Sequence, residues 1–200
     1  DLDARGLRPA ATAPAHIAGV GTIGELLDPL VRERPDQPIL IGRSGHFTVA
    51  ELATASNRAA NALRQLGVRR GTRVAASLPN DVDVVVAFLG AMKVGAIWLG
   101  VNRPLAAPEK AYMLRDSQSG VFIGDADALA QVAMHRSELP ELHSTLAVGS
   151  GDGTGADHRW DDVVADAEIA PQTDIVDPLA PAAIAYTSGT TGFPKGAVHT

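Results

Sequence analysis

Two hundred residues with 46% hydrophobic content suffice for one domain, or for a domain and a fragment, and exclude a disordered chain. Seventeen Lys and Arg against 23 Asp and Glu leave a net charge of −6, which gives no electrostatic footprint for DNA or RNA. Zero cysteines exclude a disulfide framework, a thiolate-ligated metal and a thiol nucleophile, while 34 alanines beside eight aromatic residues suggest helices packed closely on a sheet.

Residues 1–15 are polar, carry Pro9 and Pro14, and lack a basic stretch followed by an apolar one. They read as part of a loose arm, residues 1–21, without a secretory leader, and together with the missing cysteines they predict a cytoplasmic protein. Gly19, Gly21 and Gly24 spell G-x-G-x-x-G before a helix-like stretch, residues 25–34, a spacing that suits a dinucleotide pyrophosphate. The context is wrong for it. Only His16-Ile17-Ala18 stands where a strand is required, and no acidic residue closes a second strand about 20 residues on, so turn glycines explain the pattern better.

Residues 39–41 read as a strand, and Ser44-Gly45 as a turn into His46 and Phe47. Thr48 with Glu51 forms a capping box that opens a helix. Its apolar stripe is Leu52, Ala55, Ala59, Ala62, Leu63 and Leu66, its polar stripe is Glu51, Thr54, Arg58, Asn61 and Gln65, and Gly67 stops it. Strand 73–78, turn Pro79-Asn80, helix 81–94, strand 96–100, helix 108–117, strand 121–124, helix 126–137 and strand 144–148 follow. Residues 84–101 are long enough to span a membrane, but Lys93 at their centre costs ~2.5–3.5 kcal/mol in a bilayer. Gly90, Gly95 and Gly100 punctuate the run, so a buried helix ending at Gly95 and a buried strand fit better, with Trp98 in the core.

Repeated βα units of this length require crossovers and predict a three-layer α/β/α unit with a mostly parallel sheet. Residues 149–157 read as a break and 159–167 as a short amphipathic helix, with Trp160 docking it and Asp161, Asp162 and Asp166 on its wet face. A Pro- and Asp-rich connector, 171–181, leads to strand 182–188. The expected division is therefore the arm 1–21, an α/β/α subdomain 22–170, and 171–200 as connector, strand and glycine-rich loop opening a next subdomain.

The chemistry concentrates in Tyr186 to Gly196, YTSGTTGFPKG, after the apolar residues 182–185. Gly189, Gly192 and Gly196 let backbone N–H groups face one anion, Thr187, Ser188, Thr190 and Thr191 add hydroxyl donors, and Lys195 adds a cation, a set suited to a polyphosphate. It is not the P-loop G-x-x-x-x-G-K-[ST], because the residue five beyond Gly189 is Pro194. Ala197-Val198 reads as strand, so the anion would rest on amides and hydroxyls and not on a helix dipole; the alternative is a Gly/Thr-rich surface hairpin. His16, His46, His135, His143 and His158 lack metal-ligand spacing, so no metal site is expected in this chain and solvated or hydrogen-bonded roles suit them.

The eleven-residue segment resembles the phosphate-loop signature of the adenylate-forming (AMP-binding) superfamily, which contains acyl- and aryl-CoA ligases, nonribosomal-peptide adenylation domains and luciferases. Phe47 to Leu52, Asn57-Arg58 through Gly71, Leu78-Pro79-Asn80, residues 87–95 and residues 111–117 are similar to the same family's N-terminal region, so the likeness runs from about residue 22 to the end. It implies an N-terminal subdomain of an acyl-CoA synthetase or fatty-acid–CoA ligase. In such an enzyme a carboxylate attacks the α-phosphate of Mg-ATP, pyrophosphate leaves, and the thiol of CoA takes the acyl group.

The resemblance makes ATP, Mg2+ and CoA the implied cofactors. It makes Thr187, Ser188, Gly189, Thr190, Thr191, Gly192, Lys195 and Gly196 the candidate ATP contacts, none of them a proton-transfer catalyst. The family's catalytic lysine, its magnesium-binding acid and most of the acyl pocket have no counterpart in these 200 residues, so the fragment alone is expected to be inactive. The family histidine after the loop would fall one position past Thr200, so His199 does not inherit its role. Ala107 stands where relatives often place a Thr or Ser helix cap, a loss of about 1 kcal/mol. Thr190 tilts toward CoA ligases; an amino-acid adenylation domain and a non-catalytic nucleotide- or partner-binding module are the alternatives. The strand near residues 197–200 is expected to expose an edge and to invite self-association.

Overall fold

The computed structural model describes residues 20–149, 155–171, 175–187 and 194–200. The chain enters through a short 3-10 turn, Ile23–Glu25, followed by helix α1, Asp28–Glu33. The expected continuous helix over 25–34 is thus two pieces. Pro29 lies in the first turn of α1, where its missing N–H costs nothing, and it could not sit inside a helix begun at Glu25.

Strands β1, Pro38–Ile41, and β2, His46–Thr48, pair antiparallel as a separate ribbon. Helix α2, Val49–Gln65, opens on the expected capping box: the Glu51 amide donates to Thr48 Oγ1 (3.3 Å), and the Thr48 amide donates to the Glu51 carboxylate (2.8 Å). Gly67 ends it at φ +88°, a conformation that costs a glycine nothing.

Then come β3 (Arg73–Ser77), α3 (Val82–Lys93), β4 (Ile97–Gly100), α4 (Ala107–Asp116), β5 (Val121–Gly124), α5 (Ala126–Ala133) and β6 (Ser144–Ala147). The chain closes with β7 (His158–Arg159), α6 (Trp160–Ala165), β8 (Ala183–Thr187) and β9 (Lys195–His199). Among the described residues the larger sheet has seven strands in the order β7-β6-β5-β3-β4-β8-β9, all neighbours parallel except β8 with β9. Helix α5 is shorter than expected, because the chain tightens into a 3-10 turn, Arg136–Glu138, that swings Leu139 and Leu142 into the core.

Alternation along the strands assigns the layers. Val74, Ala76, Val121, Ile123 and Leu146 face α2, α3 and Trp160, while Ala75, Leu99, Phe122 and Ala147 face α4 and α5. The alanine-rich composition has its use between α2 and α3. Ala59, Ala60, Ala87 and Ala91 are fully buried there, and a Cβ on Gly90 would lie 2.6 Å from that of Ala59. Trp160 is 2% exposed and anchors α6, with Asp161, Asp162 and Asp166 exposed.

Trp98 is only half-buried, contrary to the expectation of a core residue. Its ring stacks edge-to-face on Phe88 (5.6 Å) and borders an open crevice at the end of β4. The cap of α4 is Ala106, not Ala107, which already lies in the first turn; Ala106 has the extended cap backbone (φ −71°, ψ 162°) but no side-chain acceptor. The polar stripe of α2 holds a strap. Arg58 donates to the carbonyls of Ala165 (2.6 Å) and Ala167 (3.0 Å), and Asn61 to those of Glu168 (2.8 Å) and Ala170 (2.9 Å). Beyond the connector, β8 pairs parallel with β4 and so joins the same sheet.

Candidate functional site

The candidate site stands on the β8–β9 hairpin. Parallel pairing with β4 sets the direction of β8, so Thr187 comes out at the carboxyl edge of the sheet, beside the ends of β3, β4 and β5. The register places Lys195 opposite Thr187 and Gly196 opposite Tyr186. Thr187, Lys195 and Gly196 are exposed, so the structure brings a hydroxyl and an ammonium-bearing residue together across one rung and presents both to solvent. Ser188, Gly189, Thr190, Thr191 and Gly192 lie outside the described residues.

Gly196 has a local reason of its own. A Cβ there would lie 2.8 Å from Ile184 Cγ2 and 3.1 Å from Tyr186 Cζ, so only glycine lets the tyrosine ring cross β9. The Tyr186 hydroxyl donates to Asp116 Oδ2 (2.5 Å), and the Tyr112 hydroxyl donates to the Pro194 carbonyl (3.1 Å). Burial first, and then the Asp116 carboxylate, push the Tyr186 phenol well above its ordinary pKa, so it stays a neutral donor.

A second feature shares this edge. From β3 the chain turns to α3 on one face, and from β4 to α4 on the other, so the loops part and leave a crevice of about 550 Å3. Arg43, Asn80, Trp98, Asn102 and Arg103 border it. The loop after β4 is fixed from below: Lys110, 1% exposed, donates to the carbonyls of Arg103 (2.8 Å) and Leu105, and Arg103 pairs with Asp125 (2.7 Å). Burial lowers the Lys110 pKa, against the pull of Asp125 and Glu109.

The other sequence signals resolve structurally. At the glycine run, the Glu25 carboxylate accepts from the amides of Gly21 (2.7 Å) and Thr22 (3.2 Å), filling the place an anion would take. Gly24 packs against α3, where a Cβ would come within 3.0 Å of Lys93 Cα; Gly19 lies outside the described residues. Lys93 donates to Asn57 Oδ1 (2.9 Å). Among the described residues no helix is long and apolar enough to cross a membrane, and no group of three or more His, Asp or Glu is placed to hold a metal ion. His135 pairs with Glu138 (2.7 Å).

Sequence reasoning missed Tyr112, Asp116, Lys110 and Arg103 as supports of the site. One signal was available: Asp116 ends α4, where the helix dipole disfavours an anion, so a tertiary partner was to be sought for it.

Comparison with known proteins agrees with this architecture. The anthranilate–CoA ligase AuaEII, solved in complex with anthranoyl-AMP, superimposes with a TM-score of 0.85 and 28% sequence identity over 96% of this chain and 36% of that one. The long-chain-fatty-acid–CoA ligase FadD13 of Mycobacterium tuberculosis is 38% identical over 157 residues, 77% of this chain and 29% of that protein. Surfactin synthase subunit 3 of Bacillus subtilis is 34% identical over 170 residues, 85% of this chain and 12% of that protein. The chain spans about a third of the length of the curated CoA ligases it matches. Residues 27–200 match the AMP-binding enzyme family, and the chain belongs to that family as its N-terminal α/β region.

Proposed function

We propose that this chain is the N-terminal part of an ATP-dependent acyl- or aryl-CoA ligase, and that the β8–β9 hairpin holds the phosphates of ATP. The observation that carries this is the pairing of Thr187 with Lys195 at the carboxyl edge of the sheet, within an eleven-residue segment rich in glycine and hydroxyls. In the first step a carboxylate oxygen bonds to the α-phosphorus of ATP, the bond to the bridging oxygen breaks, and pyrophosphate leaves with the electron pair. Thr187 and Lys195 donate to oxygens on which charge accumulates, together with Ser188, Gly189, Thr190, Thr191, Gly192 and Gly196 in the same proposal. Preorganised donors of this kind are typically worth ~10²–10³ in rate each. In the second step the thiol of CoA takes the acyl group and AMP departs. Mg2+ is implied by the family alone, and the described residues offer no cluster to hold it.

ATP–pyrophosphate exchange by the full-length protein, driven in turn by fatty, aromatic and amino acids, tests the proposal. Exchange with a fatty or aromatic acid, followed by CoA thioester formation, is the expected result; no exchange with any acid removes it. The match to Surfactin synthase subunit 3 favours one alternative, an amino-acid adenylation unit, for which amino acids alone would drive exchange. Residues 1–200 alone are expected to show no exchange, as they span a third of the matched ligases. For the parent protein, residues 171–200 are proposed to open a further subdomain, with the hairpin serving both. β9 is last in the strand order, and self-association through this edge is proposed, which a concentration series in sedimentation tests.

A further inference from the structure

We propose that Tyr112 and Asp116 of α4 are positioning residues for the phosphate site, clamping the β8–β9 hairpin from beneath so that Thr187 and Lys195 keep a set separation and direction. This rests on the reading that those two residues contact ATP. The two clamp bonds land one residue short of the proposed contacts, one on β8 and one at the entrance to β9. Asp116 takes the hydroxyl of Tyr186, which precedes Thr187, and Tyr112 donates to the carbonyl of Pro194, which precedes Lys195.

Tyr112 and Asp116 are four residues apart and therefore share one face of α4, the arrangement that lets one rigid helix reach both strands. The two tyrosine rings meet edge-to-face with centroids 6.5 Å apart, and the Tyr186 ring crosses the Cα of Gly196. Asp116 sits at the last residue of α4, where the helix dipole works against a carboxylate, so its side chain gives the helix nothing and the hairpin a fixed acceptor. Burial and Asp116 together keep the Tyr186 phenol protonated, so the clamp holds throughout the neutral range. The adjoining Thr187 and Lys195 remain exposed.

The test uses Tyr112→Phe, which deletes only a hydroxyl, Asp116→Ala, which deletes the acceptor, and Asp116→Asn, which keeps an acceptor oxygen without the charge. Each is made in the full-length protein. Amide hydrogen exchange is followed at Thr187, Lys195 and Gly196, and ATP–pyrophosphate exchange gives the KM for ATP and for the acid. Tyr112→Phe and Asp116→Ala are expected to speed exchange of those amides and to raise the KM for ATP about 2- to 10-fold, with the KM for the acid and the thermal midpoint unchanged and Asp116→Asn close to wild type.

Unchanged amide protection at the three positions overturns the clamp. So does a uniform loss of protection across α4 and the sheet with a lowered midpoint, which marks a purely structural role; Tyr112→Phe decides if Asp116→Ala fails to fold. A wild-type protein without pyrophosphate exchange refutes the ATP reading instead, and the amide data still decide the clamp.

Discussion

The two sides of the sheet are built by different means. On one, α2 and α3 meet through buried alanines and Gly90, so close that a methyl group does not fit, and the strap 165–170 is tied to Arg58 and Asn61. On the other, α4 meets the β8–β9 hairpin through two tyrosines and one carboxylate, with Thr187 and Lys195 exposed. Close apolar contact is stiff but says little about direction, because dispersion is short-ranged and non-directional. Hydrogen bonds from phenols and carboxylates are directional. The difference teaches that the α2/α3 seam is set by close apolar contact, whereas the hairpin is set by directional bonds from α4, next to the edge where ligand is proposed to arrive.

Substitutions that separate precision from stability test this contrast. Lys195→Ala in the full-length protein is expected to slow ATP–pyrophosphate exchange about 10²- to 10³-fold. Its melting temperature should stay unchanged, since the residue is exposed at the start of β9. A parallel fall in both would mean that the hairpin is part of the stabilising core. Gly90→Ala carries the opposite expectation. In an open helix this change stabilises by about 1 kcal/mol, whereas here the new methyl meets Ala59 and should destabilise by ~1–3 kcal/mol in urea titration, with activity per folded molecule retained. A stabilised variant would show that the α2/α3 seam has slack.

Thr48→Ala removes the cap of α2 and should cost about 1 kcal/mol. It also reshapes the acid limb. Hydrogen bonds from the Thr48 amide and hydroxyl hold the Glu51 carboxyl below its ordinary pKa, so its stabilisation is present above the usual carboxylate range and fades as pH falls through the lower folded value. In Thr48→Ala that fading should be smaller and complete at higher pH, which urea midpoints measured from about pH 2 to 6 record. The smallest effect is expected from Ala106→Ser, which supplies the missing side-chain acceptor at the start of α4, where Glu109 already accepts from the Ala106 amide (2.8 Å). A gain of up to about 1 kcal/mol is expected. It would stiffen the very helix that holds the hairpin, so a lower KM for ATP in the same variant sharpens the contrast.

Features whose cause lies within a few residues were legible in the sequence. The Thr48–Glu51 box, the stop at Gly67, the strand Val121–Gly124 and the exit of β8 into a Gly- and Thr-rich segment all stand where local chemistry puts them. The split of the first helix has a local cause too, Pro29 in the first turn of α1. Arg58 and Asn61 were visible only as a polar stripe, because the carbonyls they bind lie more than a hundred positions away. Trp98 looked like core because its strand is apolar on both sides, yet the parting of the loops after β3 and β4 leaves its ring at an open crevice.

By itself the sequence determined the α/β/α class, most of the strand and helix order, and the one segment whose residue types suit a polyphosphate, since helix caps, periodicity and glycine conformation act over a few bonds. Only the tertiary structure decided that Lys195 faces Thr187, that a buried Lys110 braces the loop after β4, and that Tyr112 and Asp116 reach Pro194 and Tyr186. The physical reason is that a hydrogen bond is specified by position and direction in space. Partners 70 and 82 residues apart acquire both only when the parallel sheet brings α4 beneath the hairpin.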